Sequence, residues 1–317
     1  MTFLLHIFDY VTTSGHALID RELYLPLSWI EDQDRCREAG IPHTVGFQTK
    51  CELAQRMIER IWKMQVPISW VVADAAYGGN LDLRLWLEDH RYSYVLAVAC
   101  NEPVGIQTPD GQRRRVEVSQ VEALLLEKHD WERLSMSQGT KGPRCFDWVA
   151  VPILHRWEGS RHHWLLIRQC VDDPSTKTYY FVFAPSQTTL QEMVEAIGTR
   201  WRIEEDFERT KDMGLNHYQI RSFVGWYRHI TLVLLAHAYL SAICAQVPTP
   251  SPPIALTEPC DARPLLPLTV PEVRHLLGHL IWPAPSAVKL VLGWSWWRRC
   301  HRSSASYFHT KRRLQAG

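Results

Sequence analysis

The sequence predicts an α/β fold with a β-rich middle and an α-helical carboxy-terminal region. Three observations carry this. Residues 68–73 form a nearly continuous apolar run between helix-patterned segments and end at Asp74, as a strand buried on both faces does. From 100 to 187, strand-like runs alternate with turn clusters such as Pro109-Asp110-Gly111 and Asp172-Asp173-Pro174. Helical spacing returns from 188.

Taken in order, residues 3–11 are apolar and rich in β-favouring types, and Ser14-Gly15 is a turn signal before a second extended segment at 17–25. Residues 31–40 are polar and read as a short helix or loop. Thr49 followed three residues later by Glu52 is a capping-box pattern. It predicts a helix over 50–64 with Leu53, Met57 and Ile61 on one face. Asn80 caps another helix, and 94–99 is a further buried strand. In the middle, strands are predicted at 115–118, 146–154, 163–169 and 179–184. Helices follow from 188 to about 213 and from 226 to 246. Residues 230–247, the longest apolar stretch, contain His237 and Gln246 and read as a buried helix rather than a membrane span. The chain divides into four segments: 1–99, the β-rich 100–187, the helical 188–247, and 248–317. The last is a proline-rich linker followed by a basic, aromatic tail.

Composition narrows the chemistry. The 317 residues suffice for two domains of ordinary size, and a hydrophobic fraction of 46% excludes general disorder. With 35 basic against 34 acidic side chains, any nucleic-acid surface must come from segregated charge. The eight cysteines form no C-x-x-C pair, and the start lacks the pattern of a secretory signal, which together fit a reducing cytoplasm. No P-loop, G-x-S-x-G or G-x-G-x-x-G occurs. His155, His162 and His163 have no further ligand at zinc spacing.

Two carboxylates stand out by context. Asp74 closes the apolar run Val71-Val72-Ala73, where a rigid strand end can present a metal ligand. The alternative is an aspartate that opens a turn or caps a helix. Glu204 shares a helical face with Arg200, Glu208 and Lys211. Such a carboxylate can hold a metal while the cations hold phosphates. The alternative is a solvated face of ion pairs.

Arg200-Trp201-x-Ile203-Glu204 with Lys211 seven residues after the glutamate resembles the signature helix of bacterial insertion-sequence transposases of the DDE superfamily. The family also has a tyrosine three residues before the arginine, where this chain has Ile197. Asp74 resembles the second member of the family's Asp-Asp-Glu triad, and the β-rich 100–187 resembles its insertion domain. The segments Ala17-Leu18-Ile19-Asp20-Arg21-Glu22-Leu23-Tyr24-Leu25-Pro26 and Trp226-Tyr227-Arg228-His229-Ile230-Thr231 agree as well. The resemblance implies a ribonuclease-H-like mixed sheet carrying an all-β insertion, with 1–99 and 188–247 as the two parts of the catalytic core. It implies Mg²⁺ or Mn²⁺ held by Asp74 and Glu204, and phosphate contacts from Arg200 and Lys211. It also implies cleavage and joining of double-stranded DNA at terminal inverted repeats and target sites by a homodimer in the bacterial cytoplasm, at the nucleoid, with no membrane role.

A ribonuclease-H-like core begins with three antiparallel strands, and its first carboxylate lies on the first. Counting back from Asp74 yields two, at 3–11 and 17–25. The preferred expectation is a truncated chain whose first strand and first aspartate lie before Met1, and whose activity alone is impaired. A rival takes 3–11 as the first strand and Asp9 as the first ligand. Asp20 is a weaker candidate. A rival of another class is a non-catalytic DNA-binding or dimerising fragment that inhibits a full-length enzyme. In the tail, Arg298, Arg299 and Arg302 are candidate phosphate contacts, with a solvated helix as the alternative. Trp148, Trp157 and Trp164 could receive a flipped base, and core packing is the better reading for each.

Overall fold

A two-stranded ribbon opens the chain in the computed structural model, which describes residues 4–139, 142–154, 160–219, 222–246 and 268–280. β1 (Leu4–Val11) and β2 (His16–Tyr24) run antiparallel. Their register shifts between Phe8 and Asp9, an irregularity of the kind that re-aims side chains. Two short helices follow, α1 (Leu27–Ile30) and α2 (Gln33–Ala39). α2 stops at Gly40, whose φ of 66° favours glycine.

α3 (Lys50–Lys63) begins where the capping box predicts: the Thr49 side chain accepts from the Glu52 amide, and the Glu52 carboxylate accepts from the Thr49 amide. It buries Leu53, Met57, Ile58 and Ile61. β3 (Trp70–Ala73) leads into the one-turn α4 (Ala75–Gly78), then into α5 (Leu81–Asp89), capped by Asn80 as predicted. β4 (Ser93–Val98) pairs parallel to β3, and all of its residues are buried. Its side chains alternate between two cores. Tyr94, Leu96 and Val98 pack with Ile58, Leu83 and Leu87, whereas Val95 and Ala97 pack with Met193, Val194 and Ile197. Helices therefore cover the sheet on both faces.

β5 (Pro103–Gln107) and β6 (Arg113–Glu117) form a separate hairpin, followed by α6 (Val121–Leu125). Next come β7 (Glu132–Gly139), β8 (Gly142–Pro152), β9 (Arg161–Cys170) and β10 (Lys177–Pro185). They join β3 and β4 in one sheet of order β3-β4-β10-β9-β8-β7. Much of the β-rich stretch expected as an insertion thus lengthens the sheet of β3 and β4. The physical reason is that β10 is apolar on both faces, with Tyr179 to Ala184 all buried, so it needs a neighbour on each edge and a layer on each face. It takes β4 and β9 as its neighbours. β5 and β7 had no predicted strand. β5 contains Pro103 and Gly105, and β7 carries polar residues such as Ser135, Ser137 and Gln138.

The single helix expected from 188 to 213 is broken. α7 (Leu190–Gly198), boxed by Thr189 and Glu192, gives way to a tighter turn at Thr199–Trp201 and then α8 (Arg202–Asp212). Gly198 explains the close approach at the break: a Cβ there would lie 2.2 Å from the Met136 carbonyl oxygen on β7. α9 (Phe223–Gln246) is long and apolar enough to cross a membrane by length and composition. It was expected to be buried, yet only one face is. Trp226, Ile230, Val233 and Leu234 are covered, while Leu232, Leu235 and Tyr239 are exposed. The chain divides into a compact unit, Met1–Tyr239, and a second, Leu240–Gly317, whose described parts are the end of α9 and α10 (Val270–Leu280). Most of the proline-rich linker and the whole basic tail, with Arg298, Arg299 and Arg302, lie outside the described residues.

Candidate active site

Asp74 stands where β3 gives way to α4. Its Oδ1 accepts a hydrogen bond from the Ala76 amide at 2.9 Å, so it does cap a helix. It is nonetheless exposed at the strand end. What holds it there is the seating of α4 on β4: a Cβ on Gly78 would meet the Ala97 carbonyl oxygen at 1.9 Å. Only glycine permits that approach. Tyr77, on the same turn, is pushed up to about 12 by burial and then by the nearby Asp74 charge.

Glu204 lies in the first turn of α8, and its Oε1 is 2.9 Å from Arg200 Nη1. Both side chains are partly exposed. Lys211 sits near the other end of α8 and pairs instead with Glu208 at 2.5 Å. Seven residues of helix separate Glu204 from Lys211, a distance of about 10 Å along the axis. The shared face read from the sequence is therefore divided along its length.

An open cleft of roughly 740 Å³ collects the predicted residues. Asp74, Glu204 and Arg200 line it, with Lys50, Tyr77 and Thr199; Lys211 does not. A further carboxylate, Asp9, also borders it, where the strand count expected none.

Residues 5–143 match the family model described as DDE superfamily endonuclease. Over that stretch, somewhat under half of its length, the chain is similar to DDE-type, transposase-like proteins. The match takes in β1, Asp9 and Asp74 and stops short of Glu204. No curated protein matches the chain. DDE endonucleases act on DNA and generally use divalent metal ions. The exposed Asp74 and half-exposed Glu204 offer the hard oxygen donors that such cations prefer.

Asp9 borders the cleft with that pair, and its nearest possible ligand partners are His16 and Asp206. Ligand atoms of Asp9, His16 and Asp206 lie within 4.8 Å of one another, a group that does not include Asp74 or Glu204. Asp206, on α8, is fully buried. His16 Nε2 is 3.1 Å from Arg209 Nη1, a donor, so it accepts and leaves Nδ1–H to donate to Asp206 Oδ2 at 2.8 Å. His237 Nε2, from α9, is 3.2 Å from Asp206 Oδ1. Although burial opposes ionisation, the hydrogen bonds from His16 and His237 hold Asp206 down to about 2. Asp9 has the opposite fate. Burial first, and the Asp206 charge second, push it up to about 8. Neither Asp9 oxygen finds a donor; when protonated, Asp9 itself can donate to Asp206. This network escaped the sequence reading. Its one local signal was Arg209 three residues after Asp206, and its other partners come from β2 and α9.

Asp20 is occupied elsewhere in the fold. Its Oδ2 accepts from Arg60 Nε at 2.9 Å, beside Glu22, which takes Arg60 Nη1 at 2.5 Å and the Tyr227 hydroxyl at 2.9 Å. Burial, then the Glu22 charge, pushes Tyr227 up to about 12. Trp148 and Trp164 are buried in the sheet core, in line with the packing reading, and Trp157 and His155 lie outside the described residues. His163 pairs with the buried Glu88 at 2.9 Å. Ile197, at the family's tyrosine position, is buried in the same core as Trp148 and Trp164.

Proposed function

We propose that the chain is a DNA transposase of the insertion-sequence type, cutting and joining phosphodiesters at terminal inverted repeats and target DNA as a homodimer. The observation that supports this best is that Asp74, Glu204 and Arg200 border one cleft although the chain separates the first from the others by a whole sheet. Asp74 and Glu204 hold Mg²⁺ or Mn²⁺ in this reading. Ions so held supply positive charge to the phosphodiester oxygens and lower the pKa of the attacking water or 3′-hydroxyl. Arg200 and Lys50 bind phosphates along the cleft and keep the scissile bond in place. Arg200 also screens Glu204 until DNA arrives, since its guanidinium is free to exchange a partly exposed carboxylate for a phosphate.

One observation favours a second reading, a non-catalytic DNA-binding or dimerising inhibitor: Asp9 borders the cleft, but within 4.8 Å its ligand atoms group with His16 and Asp206 and not with Asp74 or Glu204. The same experiment separates the two. Supercoiled DNA carrying the element's ends is incubated with the chain and Mg²⁺ or Mn²⁺, and nicking is scored beside binding by gel shift. The enzyme reading expects nicking that Asp74→Asn and Glu204→Gln abolish. Binding without nicking in either metal supports the inhibitor. Nicking untouched by both substitutions sinks the site.

A further inference from the structure

The turn from α5 into β4 carries strain that its local structure does not explain. Arg91 sits there at φ 58°. Its amide donates to the Glu88 carbonyl oxygen at 2.8 Å and closes the end of α5. This is the left-handed place after a helix, where glycine is usual and a residue with a Cβ is strained. An arginine kept at such a place points to work for its side chain. Arg91 is exposed, and among the described residues its guanidinium makes no hydrogen bond or ion pair.

A second guanidinium reaches the same turn from far along the chain. Arg161, the first residue of β9, lies over the Phe183 ring at 5.2 Å. Its Nη1 donates to the Ser93 hydroxyl at 3.0 Å. Ser93 opens β4, two residues after Arg91. Burial first, and the Arg91 charge second, push Arg161 below the usual range for arginine. The carboxylates nearest in sequence do not answer the two cations. Glu88 is buried, takes the Tyr94 hydroxyl at 2.7 Å and lies 2.9 Å from His163 Nε2. Asp89 is exposed and in no ion pair among the described residues. Like charges held as neighbours repel, and an anion between them removes the repulsion.

The place is not the cleft, which neither arginine lines. β3 and β4 run parallel, with Trp70 opposite Ser93 and Ala73 opposite Leu96. Asp74 follows Ala73, so the arginines stand at the other end of these strands, about 13 Å away along them. We propose that Arg91 and Arg161 bind a phosphate group, with the Ser93 hydroxyl beside them. Two guanidiniums offer forked donors that match phosphate oxygens. Phe183 and Ser93 already orient Arg161, so little freedom is lost on binding. The phosphate expected is one of a DNA backbone also held at the cleft. That identification rests on the DNA reading, whereas the site itself does not.

Two measurements on the whole chain test it. In the first, inorganic phosphate is titrated while the Nε–H resonances of isotope-labelled arginines are followed. Arg91 and Arg161 are expected to shift together and saturate together. Arg113 and Arg115, exposed on β6 and without ion pairs among the described residues, are the control for loose attraction to any guanidinium. Arg91→Gly relieves the strain and should melt no lower than the parent. It should nonetheless weaken phosphate binding by about tenfold or more. In the second, DNA binding by the parent, Arg91→Gly and Arg161→Gln is compared across salt concentrations. Each variant should reduce the slope of log K against log salt by about 1. Shifts at both arginines with an unchanged slope support the site and assign it to free phosphate instead of DNA. A parent that binds no DNA sinks the DNA reading, and the titration then decides the site alone. The proposal is overturned if Arg91 and Arg161 respond no more than Arg113 and Arg115, or if Arg91→Gly binds phosphate as the parent does.

Discussion

His16 and Asp206, 190 residues apart, are joined by a 2.8 Å hydrogen bond that ties the amino-terminal ribbon to the helix of the candidate glutamate. His237 and Arg209 complete the ring around Asp206. The carboxylate is therefore the acceptor on which three buried or half-buried donors depend.

Asp206→Ala leaves those donors without their anion. Removing one partner of a buried charged network costs about 3–5 kcal/mol. Urea denaturation should show an unfolding free energy lower by that amount. A loss below about 1 kcal/mol would mean that water reaches the ring and replaces the carboxylate.

Asp9 and Asp206 impose opposite pH dependences. Asp9 is raised to about 8 from 3.8, so between those values the folded chain holds one proton more than the unfolded chain. Stability is then greatest at the acid end of that window and falls as pH rises towards 8. Asp206 is lowered from 3.8 to about 2, so its contribution is present above 3.8 and lost as pH falls through 2. Asp9→Asn removes the first titration and keeps a donor for Asp206. Its thermal midpoint should exceed that of the parent chain at pH 8 and converge on it near pH 4. A constant difference across that range would contradict the assignment.

Arg200 and Lys211 should separate in a binding assay. Arg200 borders the cleft, and Lys211 is paired with Glu208 away from it. Arg200→Ala should weaken DNA binding and reduce the slope of log K against log salt by about 1. Lys211→Ala should leave that slope where it was. Equal effects from the two would place DNA along the whole of α8 instead.

Gly78→Ala tests how Asp74 is positioned. The added methyl would collide with the Ala97 carbonyl oxygen, so α4 must lift from β4. A cost of about 1–3 kcal/mol follows, and any Mg²⁺-dependent nicking should fall further than the folded fraction does. Gly79→Ala, where the nearest atom is the end of the Glu102 side chain at 3.4 Å, is the matched control and should be mild.

Local physics was legible in the chain itself. The capping box at Thr49, the Asn80 cap, the strands around 70 and 95, and Asp74 at a strand end all follow from neighbours within a few residues and are found, although only Val71 of the first strand is buried. Glu204 beside Arg200 follows from helical spacing in the same way. Where the signal came from further off, reading along the chain failed. The break at Gly198 is set by Met136 on another element, and the joining of β10 to β4 is set by sheet order.

The sequence by itself determined most of the strands and helices, β5, β7 and the break after α7 excepted, and that two carboxylates stand at their ends, because periodicity and capping act over one or two turns. Only the tertiary structure decided that Asp9, Asp74, Glu204 and Arg200 share a cleft, that Lys211 does not, and that Asp9 also neighbours His16 and Asp206. Those outcomes depend on which strand edges pair and which stay open. Backbone hydrogen bonds are the same for every residue, so no local pattern in the sequence encodes that choice.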